Sequence, residues 1–164
     1  MIFFLLDCFD YLQEQIREKS GDAKKSIKLH IFGDGDLYTE ITERKNSDII
    51  MHGFVTDYLS KIPQNSIVVN PSLFEGMPMA VVEALSCNIP VILSKIDAHN
   101  EIAKHIHSGV AIHENTKESF YQAMLTLIDS NDMVKFDKEL MATQYEAEFS
   151  DTVMMNKYLQ VYQS

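Results

Sequence analysis

Short, nearly continuous apolar runs alternate along this chain with longer stretches whose apolar residues recur every three or four positions. Five runs predict strands: Ile27 to Phe32, closed by Gly33-Asp34-Gly35; Ile49 to His52, closed by Gly53; Ile67 to Asn70, stopped by Pro71; Pro90 to Leu93; and Gly109 to Ile112. Their apolar residues follow one another instead of alternating, as in a parallel sheet covered on both faces. Between them the spacing predicts helices. Asp36 is placed to cap one carrying Leu37, Tyr38 and Ile41, and Thr56 or Asp57 to start a short one that ends before Pro63. Pro78 suits the first turn of a helix burying Val81, Val82 and Leu85. Asn100 to His105 forms a short helix around Ile102, and Thr116 caps one with Phe120, Met124, Leu127 and Ile128 at helical spacing. Two more cover about 132–147 and 151–163. Met1 to Leu6 reads as a strand by composition; read on through Phe9, Leu12 and Ile16 it is a helix to about Lys19, which its length favours. The alternation predicts an α/β fold with a parallel sheet of about five strands flanked by helices.

Composition narrows this picture. The chain has 164 residues, a length that suits one domain spanning 1–164, and its 46% apolar and 23% charged content is that of a folded globule. Fourteen Lys and Arg against 24 Asp and Glu give a net charge of −10. An acidic balance argues against a nucleic-acid partner, which needs a basic footprint. Cys8 and Cys87 supply no disulfide framework and no zinc spacing, and are expected to be buried, reduced thiols. No apolar run approaches the ~20 residues of a membrane span, and Met1 to Leu6 is too short for a signal-peptide core. The expected location is cytoplasmic or membrane-peripheral.

The stretch from Asn70 to Ile92, NPSLFEGMPMAVVEALSCNIPVI, carries the chemistry. It reads as strand, loop, helix, strand, with the loop at the carboxyl end of a parallel strand, where α/β sheets bind ligands. Gly76 allows close approach of a ligand to the backbone. The helix starting near Pro78 directs free N–H groups and a positive dipole end at the crevice, a setting for a diphosphate. Glu75 lies in the loop; Glu83 sits one turn beyond Met79 on the helix. Carboxylates accept hydrogen bonds from sugar and ribose hydroxyls, and one carboxylate matches a vicinal pair.

This stretch resembles the donor-binding motif of retaining GT-B glycosyltransferases of the nucleotide-sugar group: Glu, seven residues, Glu, flanked by Pro71-Ser72 upstream and Pro90-Val91-Ile92 downstream. Lys28 to Gly35 is similar to the family's second strand and turn, Ile49 to Val55 to its third strand, and Phe149-Ser150 with Tyr158 and Tyr162 to its last helix. The resemblance implies a Rossmann-like domain, half of a GT-B fold. It implies that Glu83 holds the ribose hydroxyls and that Glu75, the candidate catalytic residue, contacts and orients the donor sugar. The backbone at Gly76, Met77 and Met79 would face sugar and phosphates, and His52 and Gly53 would approach the base. The implied reaction transfers a sugar with retention, in polysaccharide or glycoconjugate biosynthesis. The diphosphate would be held by dipoles and cations without a mandatory metal, and the nucleotide-sugar is a substrate, so no cofactor is expected.

The departures from that family are informative. Asn88 stands where the family has Gly, and Asn tolerates left-handed dihedrals. Asp97 to Glu101 keeps the family's Glu but loses its glycine pair. The chain is expected to open in the helix that follows the family's first strand and its Arg and Lys, and to lack the amino-terminal acceptor domain. Partners are then the nucleotide-sugar, that missing domain or another chain, and a second copy of this one. The missing strand would be central, so the chain is expected to close its sheet directly, fill the gap with Met1 to Leu6, or borrow a segment from another chain. Gly33-Asp34-Gly35 reads as a tight turn, not a dinucleotide loop, since Tyr38 stands in place of the third Gly. His99, His105, His107 and His113 have no partners completing a metal site, and Met77, Met79, Met154 and Met155 read as packing residues. A second reading is a non-catalytic α/β remnant or partner-dependent subunit. A receiver-type signalling domain is disfavoured because its clustered acids and its Lys are not in place.

Overall fold

The computed structural model describes residues 1–20, 27–44, 46–128 and 134–163. Along the chain run α1 (Ile2–Ser20), β1 (Leu29–Ile31), α2 (Tyr38–Thr42), β2 (Ile49–Met51), a 3-10 turn (Leu59–Lys61), β3 (Val68–Asn70) and α3 (Met79–Ser86). They are followed by β4 (Val91–Ser94), α4 (Asp97–His105), β5 (Val110–His113), α5 (Lys117–Leu127), α6 (Lys138–Phe149) and α7 (Asp151–Gln163). The fold is α/β and every strand pair is parallel.

All five expected strands form, but as two sheets: β1 with β2, and β3-β4-β5 in sequence order. Met1 to Leu6 is not a sixth strand. Ile2 begins α1, whose Leu5, Cys8 and Leu12 pack in a core cluster with Ile92, Phe120 and Leu127. No ladder among the described residues joins β1 to β3, so direct closure is not found either. The hydrogen bonds locate the open edges. Leu29 N–H donates to the Asp48 carbonyl and His52 N–H to the Ile31 carbonyl, which turns the main-chain groups of His30 away from β2. Val68 N–H donates to the Pro90 carbonyl, which likewise turns those of Val69 away from β4. Leu29 and Val69 border the same core cluster.

β4 is the centre of the packing. Ile92 faces the α1 and α5 cluster, while Val91 and Leu93 face a second cluster with Val81 and Leu85 of α3, Ile102 of α4 and Met141 of α6. Burying each such side chain contributes about 1.5–3 kcal/mol. Thr116 caps α5 as expected, accepting from Ser119 N–H. Asp36 does not cap α2. Leu37 occupies that position without a side-chain bond, and α2 is a five-residue helix held by the buried Ile41. α4 begins at Asp97, earlier than its sequence spacing indicates, and α6 runs from Lys138 to Phe149; residues 132 and 133 of its expected range lie outside the described residues. Asn88 has φ 55°, the left-handed conformation its place after α3 requires. Cys8 is buried, and burial beside Asp7 pushes its thiol up to about 12; Cys87 is exposed, against expectation, because it ends α3 on the solvent side. Among the described residues no helix is long and apolar enough to cross a membrane.

Candidate functional site: the loop and helix after β3

The loop after β3 is pinned from both sides. At the end of β3 the Asn70 side-chain oxygen accepts from Ser72 N–H at 3.0 Å, closing a short turn. At the end of β4 the Ser94 hydroxyl donates to the Ser72 carbonyl. Behind them His99, fully buried on α4, donates from Nδ1 to the Ser94 carbonyl at 2.8 Å. Among the described residues its Nε2 has no partner, and burial holds its pKa below the usual value despite the bond to Ser94 and the nearby Glu75. His99 is therefore a neutral wedge under the loop.

On that support stands Glu75. It is half-buried, and its Oε1 accepts from the Ser72 hydroxyl at 2.7 Å and from the Asn70 amide at 3.5 Å. Gly76 follows, exposed and without positive φ, and a Cβ there would meet nothing within 4 Å. Nothing inside the fold demands glycine at this position. Pro78 is the N-cap of α3, and no side chain caps that end. One turn into α3, Glu83 is half-buried, and its Oε2 accepts from the Tyr58 hydroxyl at 2.5 Å.

The third group comes from the β1–β2 side. Gly53, with φ 66°, accepts from Gly33 N–H at 2.7 Å, so the two glycine turns are tied together. His52 stacks on Phe32 with ring centres 4.4 Å apart, and Phe32 meets Tyr58 at 6.0 Å. On its other side His52 Nε2 lies 2.9 Å from His30 Nδ1, so one ring donates and the other accepts. Burial, then His52 and Lys28, hold the pKa of His30 below the usual value.

Glu83 and the His52–Gly53 turn are thus linked by a continuous row of contacts, His52 to Phe32 to Tyr58 to Glu83. The short helix expected from Thr56 or Asp57 to before Pro63 is only the 3-10 turn Leu59–Lys61, with Tyr58 at its N-cap, and nothing in the sequence pointed the Tyr58 hydroxyl at Glu83. Ser94 and His99 could have been found only by knowing that β4 lies beside β3. Met77 and Met79 do not pack in a core. With Phe54, Leu73 and Phe74 they are exposed around these loops, Phe74 to 89%. Met154 and Met155 on α7 are also exposed, since that helix buries none of its described residues. Of the four histidines weighed as metal ligands (His99, His105, His107 and His113), His99 and His113 are buried, while His105 lies against Glu101 and Glu148. Among the described residues no group of three or more His, Cys, Asp or Glu is placed to hold a metal ion. A groove of about 430 Å³ lined by Asp10, Gln13, Arg17 and Asp48 lies at the amino-terminal end of β2 and contains none of these site residues.

Comparison with known proteins finds glycosyltransferases. The chain is 31% identical over 105 residues to the UDP-Gal:alpha-D-GlcNAc-diphosphoundecaprenol alpha-1,3-galactosyltransferase of Escherichia coli, covering 60% of this chain and 27% of that protein. It is 28% identical over 122 residues to an uncharacterized glycosyltransferase of Methanocaldococcus jannaschii, covering 70% of this chain and 35% of that one. The chain thus spans about a quarter to a third of these relatives. The profile of the family described as Glycosyl transferases group 1 matches residues 4–130, which include both sheets, Glu75 and Glu83, and the chain belongs to that family.

Proposed function

We propose that this chain carries the nucleotide-sugar donor site of a retaining glycosyltransferase that works in polysaccharide or glycoconjugate biosynthesis. The observation that carries the reading is the pair Glu75 and Glu83. Both are half-buried, both are already oriented by neighbouring hydroxyls, and the unhindered Gly76 and the uncapped start of α3 lie between them. Glu83 accepts from the ribose hydroxyls and Glu75 from hydroxyls of the sugar, which it orients for reaction. Gly76, Met77 and Met79 face the sugar and diphosphate with their backbone, and the α3 N-terminus favours the charge that develops as the diphosphate leaves. His52 and Gly53 border the base. In the transfer, the bond from the anomeric carbon to the diphosphate oxygen breaks and a bond to the acceptor oxygen forms on the same face. The E. coli relative, whose name specifies a UDP-sugar donor and a lipid-diphosphate acceptor, supports this class of reaction.

The 164 residues alone are proposed not to turn over, because the acceptor side of such a site lies in a second domain. Among the described residues no strand joins the outer edge of β1 or of β3, which favours the related reading of a partner-dependent subunit. Calorimetric titration of the chain with UDP, GDP and ADP tests the proposal. One of them is expected to bind and Glu83→Ala to abolish binding, while Glu75→Gln leaves nucleotide affinity in place and weakens only the sugar-bearing donor. Binding untouched by Glu83→Ala contradicts the site, and turnover by the purified chain contradicts its dependence on a partner.

A further inference from the structure

Glu83 and Tyr58 belong to different halves of the molecule. Glu83 is on α3, packed on the three-stranded sheet, and Tyr58 follows β2, 25 residues earlier in sequence. Their 2.5 Å contact is a charge-assisted hydrogen bond that bridges the split between the sheets. The phenol is well placed to donate and never to repel. Burial, then the bond to Glu83, push its pKa upward, so it keeps its proton throughout the neutral range. Its ring is braced by Phe32, which His52 stacks upon. A glutamate has three side-chain torsions, and a half-buried one without a partner samples several rotamers. One phenol uses a single acceptor position of a carboxylate that has about four, so room for a vicinal diol remains.

On the donor-site reading above, we propose that Tyr58 is a positioning residue for Glu83: it locks the carboxylate in the orientation that receives the two ribose hydroxyls, and ties ribose recognition to the β1–β2 half. The opposite possibility, a phenol parked where a ribose hydroxyl belongs, differs in sign and can be read directly.

The test titrates wild type, Tyr58→Phe, Glu83→Asp and Glu83→Ala with UDP, GDP and ADP, and with the 2′-deoxy form of whichever binds. Tyr58→Phe keeps the ring packing and removes only the O–H. It is expected to weaken the ribonucleotide about tenfold, the size of one hydrogen bond to a charged group. It should also move the ribo-to-deoxy affinity ratio towards one. Glu83→Asp breaks the same contact from the other side and should lower the ratio likewise. A ratio unchanged in Tyr58→Phe shows a merely structural tyrosine and overturns the proposal, as does tighter binding by that variant. No binding by wild type, or binding indifferent to Glu83→Ala, removes the donor-site reading and this inference with it; the Tyr58→Phe outcomes touch the inference alone.

Discussion

In the three-stranded sheet all four residues of β4 are buried, with α1 and α5 against one face and α3, α4 and α6 against the other. In the two-stranded sheet every residue of β1 and β2 is only half-buried. The proposed site draws from both. Glu75 and Glu83 stand on the well-packed half, whereas His52, Gly53 and Tyr58 belong to the thin half. The groups proposed to meet sugar and diphosphate thus stand next to the fully buried β4, and the groups proposed to meet the base rest on a sheet whose two strands are both only half-buried.

The largest expected effect follows from that contrast. Ile92→Ala in β4 should cost about 3–4 kcal/mol and Ile50→Ala in β2 about 1 kcal/mol, read as shifts of the urea midpoint. Equal costs would show the two sheets to be equally packed. Native-state hydrogen exchange should agree, with β4 amides opening only on global unfolding and β1 and β2 amides opening locally.

Two glycines sharpen the same point at smaller scale. Gly109 and Gly53 both have positive φ, 72° and 66°. A Cβ at Gly109 meets Met141 and Phe136 at 3.0 Å, whereas at Gly53 it meets nothing within 4 Å. Gly109→Ala should therefore cost about 2–4 kcal/mol, backbone strain plus overpacking, and Gly53→Ala only the strain of about 1–2 kcal/mol.

Acid should act on the packed half. Burial holds His99 and His113 below the ordinary value of 6.5, so near and below that pH the unfolded chain binds protons that the folded chain refuses. Stability is fully present above 6.5 and falls as the pH drops through it towards the folded-state values. His99→Asn, which keeps a donor for the Ser94 carbonyl, should flatten that dependence. An unchanged slope would show that His99 is not the neutral wedge described.

The smallest effect belongs to the thin half. His30 should titrate below the usual histidine range in NMR spectra, with little consequence for stability because it is partly solvated. An ordinary titration would mean that the His30–His52 pair is open to water.

The strands, the helices and the position of the Glu75 and Glu83 loop were legible because they depend on local pattern: consecutive apolar residues, the Thr116 cap, Pro78 and the left-handed Asn88. What was hidden depends on contacts distant in sequence. Tyr58 reaches Glu83, and Ser94 reaches Ser72, across turns whose course no periodicity encodes. Asp36 looked like a cap because of its residue type, but the turn at Gly35, whose carbonyl accepts from Tyr38 N–H, starts α2 one residue later. Met77 and Met79 read as packing residues because they are apolar, whereas their place on the rim of the loop leaves their side chains in solvent. The split between the sheets was legible only as a set of alternatives, since pairing of β1 with β3 is a tertiary property.

The most direct measurement is the amide chemical-shift map of the isotope-labelled chain during titration with UDP, GDP or ADP. The account predicts that one nucleotide shifts amides on both sides of the split together, at Gly53 and Tyr58 and at Gly76, Met79 and Glu83. Shifts confined to one half, centred on the Asp10–Asp48 groove, or absent with all three nucleotides would contradict it.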